Sequence, residues 1–203
     1  MTAAKTEYQR FFPDNFTLET PRVLLRLMTP QDYEVFLPLT KDRETWKYFT
    51  KDLSDEQELK NWMQQMLSER EQELRMPFTV IDKHTNEVCG CTSYLNFSFY
   101  DKRLEIGSTW LGPSFIGTGI NRPAKFALLS FAFEVMKMER VEIKTDNLNE
   151  RAKAALLKVG MIPEGIFRSH MLMPGGRRRD SIYYSIIRSE WEERKMHFFT
   201  EMI

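Results

Sequence analysis

The stretch Glu105-Ile106-Gly107-Ser108-Thr109-Trp110-Leu111, closed by Gly112-Pro113, and the run Phe115-Ile116-Gly117-Thr118-Gly119-Ile120-Asn121 behind it decide the fold. The first run has the composition of a strand, ended by a glycine-proline break. The second is a turn with two glycines, which allow positive φ and let a ligand approach the backbone closely. A helix follows. Residues 122–136 are apolar almost all round (Ala124, Phe126, Leu128, Leu129, Phe131, Phe133, Val135), as in a helix buried over much of its circumference. Pro123 falls in its first turn, where a missing amide costs little. The first amides of such a helix point outward at the positive end of its dipole, so the 117–121 turn is suited to a pyrophosphate. A dinucleotide fingerprint would need a third glycine where Arg122 stands, and a Walker loop would need Gly-Lys-Ser/Thr; neither is present.

Before this stretch the pattern is that of an antiparallel meander. Residues 23–27 read as a strand after the Thr20-Pro21 break, and Pro30 introduces a helix over 32–39. Ser54 and Gln57 have the spacing of a capping box, with Leu59, Trp62, Met63 and Met66 at helical spacing beyond them. Strands over 78–82 and 88–96 flank the turn residues 82–86, and 104–111 is the next strand. After it the pattern changes to helix, strand, helix, strand. Residues 140–145 are a short strand, and Asn149 caps a helix striped by Ala152, Ala155, Leu156 and Val159 and ended by Gly160. Strands over 165–173 and 178–187 are joined at Pro174-Gly175-Gly176. The sum is an α/β (α+β) chain with a mixed, mostly antiparallel sheet of six to seven strands and helices on both faces.

The bulk composition bounds the rest. The 203 residues, 42% hydrophobic and 29% charged, suit one ordinary domain. We expect an N-terminal extension over 1–16, a domain over 17–191, and a tail over 192–203 that packs on the domain or on a partner. The 29 basic and 29 acidic residues balance, so no nucleic-acid or anionic-membrane partner is expected. No run reaches the roughly 18 apolar residues of a membrane span, and residues 1–14 lack a hydrophobic signal region. Two cysteines, Cys89 and Cys91, fit a reducing cytoplasm. The two-residue period puts both sulfurs on one strand face, and without His or Cys partners they read as core, so no metal is expected.

In this order and spacing, several segments resemble the GNAT superfamily, and within it the RimJ/RimL-like N-acetyltransferases. They are Leu18-Glu19-Thr20-Pro21-Arg22-Val23-Leu24-Leu25-Arg26, the 105–111 strand, the 117–121 turn, Asn149-Glu150-Arg151-Ala152 through Lys158-Val159-Gly160, and Arg178-Arg179-Asp180-Ser181 before Tyr183-Tyr184-Ser185. The resemblance implies a V-shaped split between two central parallel strands, 104–111 and 140–145, with acetyl-CoA lying in it as co-substrate. Its pantetheine arm would pair with the backbone at Trp110, Leu111 and Gly112, as an added strand does. Its pyrophosphate would sit on Ile116, Gly117, Thr118, Gly119, Ile120 and Asn121. Asn149, Ala152 and Leu156 would border the arm from the other side.

The reaction so implied is direct attack of a neutral amine on the thioester in a ternary complex, with a base for the ammonium and an acid for the thiolate. Glu105 occupies the strand position of a water-mediated general base, or is an ion-paired strand residue near Arg103. His170 titrates near neutrality and is a second base candidate, or a packed strand residue. The family's usual acids, a tyrosine and a serine, are replaced by Leu156 and Ala152; a water or one of Tyr184, Tyr94 and Ser108 protonates the thiolate instead, or it departs unassisted. Trp46, Tyr48 and Phe49 are either core or the wall that holds the acceptor, a protein N-terminus or small amine. The replacements also admit a non-catalytic acyl-CoA-binding module. The run Arg177-Arg178-Arg179 reads as a solvated hairpin face, with an acidic substrate or the 3′-phosphate of CoA as alternatives. His84 and His197 have no partner, and a monomer or homodimer fits equally.

Overall fold

The computed structural model describes residues 5–202; Met1–Ala4 and Ile203 lie outside the described residues. One eight-stranded sheet forms the centre of the molecule. In chain order its strands are β1 (Thr17–Glu19), β2 (Val23–Leu27), β3 (Arg75–Asp82), β4 (Glu87–Ser98), β5 (Arg103–Leu111), β6 (Arg140–Asp146), β7 (Ile162–Leu172) and β8 (Arg178–Ile187). They lie in the order β1-β2-β3-β4-β5-β6-β8-β7. Every neighbouring pair is antiparallel except β5 and β6, which run parallel. The count exceeds the expected six to seven because β1, three residues long, pairs with β2 at the sheet edge. A three-residue strand has no room for a readable alternation.

Helices cover both faces. On one lie α2 (Asp32–Leu39) and α3 (Glu56–Glu71), whose Phe36, Leu59, Trp62 and Met66 pack with Trp46, Cys91 and Trp110. Asp55, not Ser54, caps α3, its carboxylate accepting from the Glu58 amide at 2.9 Å. The Ser54 hydroxyl is turned back onto Asp52. The other face holds α4 (Asn121–Ser130), α5 (Glu150–Leu157) and α6 (Arg188–Phe198). The last turn of α4 opens into a π-helical turn at Phe131–Val135. A short helix, α1 (Glu7–Phe11), also lies here, capped by Thr6 with Gln9 reaching back. It places Tyr8 and Phe12 in the same core as Trp191 and Phe199 from the chain's other end.

Cys89 and Cys91 are both buried but join opposite cores. Val80 pairs with Gly90 and Ile81 with Val88, so Cys89 is the extra residue of a bulge. A bulge breaks the two-residue alternation, which is why the expectation of one shared face fails. Among the described residues, no helix is long and apolar enough to cross a membrane.

Candidate active site

The parallel pairing of β5 and β6 runs only from Arg103 opposite Arg140 to Glu105 opposite Glu142. Beyond it the strands part. Each twisted strand follows its own antiparallel neighbour, β4 for β5 and β8 for β6, and the split exposes the β5 edge. A cavity of about 550 Å³ occupies this split.

Ile116, Gly117 and Asn121 border the cavity. Gly117 and Gly119 have φ of 81° and 87°. Among the described residues, a Cβ on either would touch nothing within 4 Å, so the loop is open at both glycines. Among the described residues, the amides of Gly117, Gly119, Ile120 and Asn121 have no protein acceptor. Unsatisfied amides at the start of α4 fit an anionic phosphate group. Trp110 and Leu111 border the cavity from β5, and Asn149, Ala152 and Leu156 from α5. The buried Trp110 indole nitrogen has no partner among the described residues. Asn149 Oδ1 caps α5 by accepting from the Ala152 amide at 3.0 Å, which leaves its amide group for a ligand. Gly112, Thr118, Gly119 and Ile120 lie in the same loop but do not line the cavity. Thr118 instead turns its hydroxyl onto the Phe115 carbonyl at 2.8 Å.

Six residues back from Leu111 along β5 stands Glu105, and Trp46, Tyr48 and Phe49 line the cavity with it. Trp46 is 3% exposed and packs edge-on against Trp110, so it is core and cavity wall at once. Glu105 is equally buried and is the one acidic side chain lining the cavity among the described residues. Its partner is Lys144 on β6, at 2.6 and 2.7 Å, with Asn96 Nδ2 at 2.8 Å; Arg103 pairs with Asp101 instead.

This arrangement can be compared with known proteins. Residues 22–162 match the family model described as "Acetyltransferase (GNAT) domain". The chain belongs to the GNAT acetyltransferase family. It is 32% identical over 112 residues to the "Putative ribosomal N-acetyltransferase YdaF" of Bacillus subtilis, a stretch covering 55% of this chain and 60% of that protein. It is 24% identical to the "Uncharacterized N-acetyltransferase YnaD" of the same organism, over 86% of this chain and 98% of that one. A solved structure described as a "putative acetyltransferase from T. thermophilus" superposes with a TM-score of 0.83 at 29% identity, covering 95% of this chain and 98% of that one. The RimL "Ribosomal L7/L12 alpha-N-protein acetyltransferase" shares the fold, with a TM-score of 0.75 at 19% identity over 85% of this chain and 94% of that one.

For this acyltransferase, the remaining candidates fall in different places. His170 does not line the cavity; its ring packs edge-on against Phe167 and Tyr183, which also touch each other. Burial, and then the charges of Lys144 and Arg179, hold its pKa below the ordinary histidine value. Tyr184 does not line the cavity either. It is 3% exposed in the core on the α5 side, while its strand neighbour Tyr183 lies beneath Lys144. Successive strand residues face opposite ways, so only one of two adjacent tyrosines could face the split. The Tyr94 hydroxyl is committed to the Leu128 carbonyl inside the core. Of the hydroxyls considered from sequence, Ser108 borders the cavity, at a bulge where its φ is 50°, and accepts from Arg75 Nη1 at 3.0 Å.

Among the basic residues that line the cavity, Lys51, Arg75, Lys125 and Lys144 were not singled out from sequence as site residues. Lys125, on the second turn of α4, donates to Thr109 Oγ1 at 2.8 Å and Thr92 Oγ1 at 3.4 Å, and burial lowers its pKa to about 7. Its only sequence signal is a charge among the apolar residues of α4. Lys144 came from a strand that reads as ordinary; nothing local marks its pairing with Glu105 across the split.

Proposed function

We propose that this enzyme transfers an acetyl group from acetyl-CoA to a primary amine, a protein N-terminus or a small amine, by direct attack in a ternary complex. The observation that carries the reading is the cavity in the β5/β6 split, with unsatisfied amides at its border and its one carboxylate, Glu105, lining it from β5. In this reading the 117–121 loop and Asn149 hold the donor, and the free β5 edge pairs with its extended arm. Trp46, Tyr48 and Phe49 shape the acceptor's place. Glu105 takes the ammonium proton, directly or through a water, once the amine enters. Ser108 gives a proton to the departing thiolate; its hydroxyl accepts from Arg75, which leaves its O–H free to donate. His170 and Tyr184 have no direct part. A cytoplasmic setting supplies the co-substrate.

The test is thiol release from acetyl-CoA over a panel of peptides and small amines, with calorimetry of CoA binding beside it. Glu105→Gln is expected to bind CoA as the parent does and to lower turnover by roughly 10². Turnover unchanged by that substitution removes Glu105 from the chemistry. Binding of CoA with no thiol release on any acceptor would support a binding module, a role consistent with the apolar Ala152 and Leu156 at the cavity wall.

A further inference from the structure

Arg179 on β8 is used neither by the donor site nor by Glu105. The side chain borders the cavity, yet the residue is only 7% exposed. Among the described residues its Nε has no partner, and Nη1 makes one long bond of 3.4 Å to the Tyr48 carbonyl. Among the described residues, no carboxylate lies within ion-pair distance of it. A guanidinium carries five N–H donors and does not lose its charge in proteins. Burying one without a counter-ion is strongly unfavourable, so such a group points to an anion supplied from outside.

The neighbouring acids are already engaged. Asp146 and Glu105 are the carboxylates whose charge Arg179 feels. Asp146 is held by Arg177 and by the Leu148 amide. Glu105 is held by Lys144 and Asn96. The arginine run therefore divides: Arg178 turns outward onto Ser169, and Arg179 turns in. Lys51, Arg75, Lys125, Lys144 and Arg151 also border the cavity, against Glu105 alone on the acidic side. Lys51, Arg75 and Lys144 are paired, with Glu58, Glu69 and Glu105 respectively, whereas Arg179 has no such counter-ion among the described residues.

Resting on the acetyl-transfer reading, we infer that the acceptor carries a carboxylate a few bonds from its amine, and that Arg179 holds that carboxylate while Glu105 faces the amine. The Tyr48 contact places Arg179 beside the aromatic wall. Two sources share this chemistry: an acidic residue at a peptide N-terminus, or the α-carboxylate of a free amino acid.

The experiment compares matched acceptors by thiol release: peptides opening with Asp against Asn, and free amino acids against their amides. The carboxylate member of one pair is expected to exceed its neutral twin in kcat/KM by roughly 10–100-fold; which pair does so identifies the source. Arg179→Gln should erase that preference while leaving CoA affinity unchanged, and Arg179→Lys should restore part of it. Equal rates on both twins of both pairs would overturn the inference. So would an Arg179→Gln variant that loses both twins alike or loses CoA affinity instead. Should Arg179→Gln fail to fold, the parent's preference between twins decides by itself. If CoA binds but nothing turns over, the acetyl-transfer reading fails separately. Calorimetry of the same twins on the CoA-loaded protein then decides: selective binding of the carboxylate twin sustains the anion site, and its absence removes it.

Discussion

Replacing Lys125 by Met removes a buried amine and keeps most of its volume, and its effect on stability should depend strongly on pH. The residue is 3% exposed and rests on the hydroxyls of Thr109 and Thr92, with no carboxylate in contact among the described residues. Cys91 is the other titratable group nearby, and burial pushes its thiol well above the ordinary range, so it remains neutral. Burial lowers the Lys125 pKa from 10.5 to about 7. Below about pH 7 the amine is charged in both folded and unfolded chains, and the folded state bears the full cost of burying it. Between about 7 and 10.5 the unfolded chain binds a proton that the folded chain does not, so stability rises with pH. The slope approaches about 1.4 kcal/mol per pH unit, and the whole window is worth at most about 5 kcal/mol. The two hydroxyl bonds return about 1 kcal/mol each. Lys125→Met should therefore be more stable than the parent by about 3 kcal/mol at pH 7, with the advantage fading by pH 10. Guanidinium denaturation of both proteins at pH 7, 8, 9 and 10 measures this, since all other titrations cancel in the difference. A difference that stays constant across that range, or grows with pH, would refute the reasoning.

Phe199→Ala should destabilise by about 3–5 kcal/mol, because Phe199 is 0% exposed and packs on Phe126 and Trp191; a melting temperature within a degree of the parent would place the tail outside the core. Gly90→Ala would drive a methyl into the Trp110 carbonyl and to 2.9 Å from the Leu111 Cα. The expected cost is about 1–3 kcal/mol, together with weaker CoA binding because the β5 edge shifts; calorimetry and a thermal melt check both, and unchanged values in each would show that the strand pair yields without cost.

Most of the fold was legible because its signals are local. The alternation of β2, the run and glycine end of β5, the cap at Asn149 and the apolar circumference of α4 each sit within a dozen residues. The elements missed have local reasons too. β1 is too short to show a period, and α1 was marked only by the Thr6 and Gln9 pair of its capping box. The glycine turn at the start of α4 was equally readable, because such a turn opening a buried helix has a fixed chemistry. The pairings around Glu105 were not. Glu105, Lys144 and Arg179 come from β5, β6 and β8, and their pairing depends on register and on where the strands part.

Taken alone, the sequence determined the family, the order of most elements and the loop of unsatisfied amides, because each follows from neighbours along the chain. The tertiary structure decided which side chains meet. The β5/β6 split faces Glu105 to Lys144, and the bulge at Cys89 sends two cysteines to opposite cores. The alternation of β8 buries Tyr184 in the core, and on the same strand it is Arg179 that borders the cavity. Those outcomes turn on the parity of each strand and the geometry of the sheet. A shift of one residue would exchange every partner.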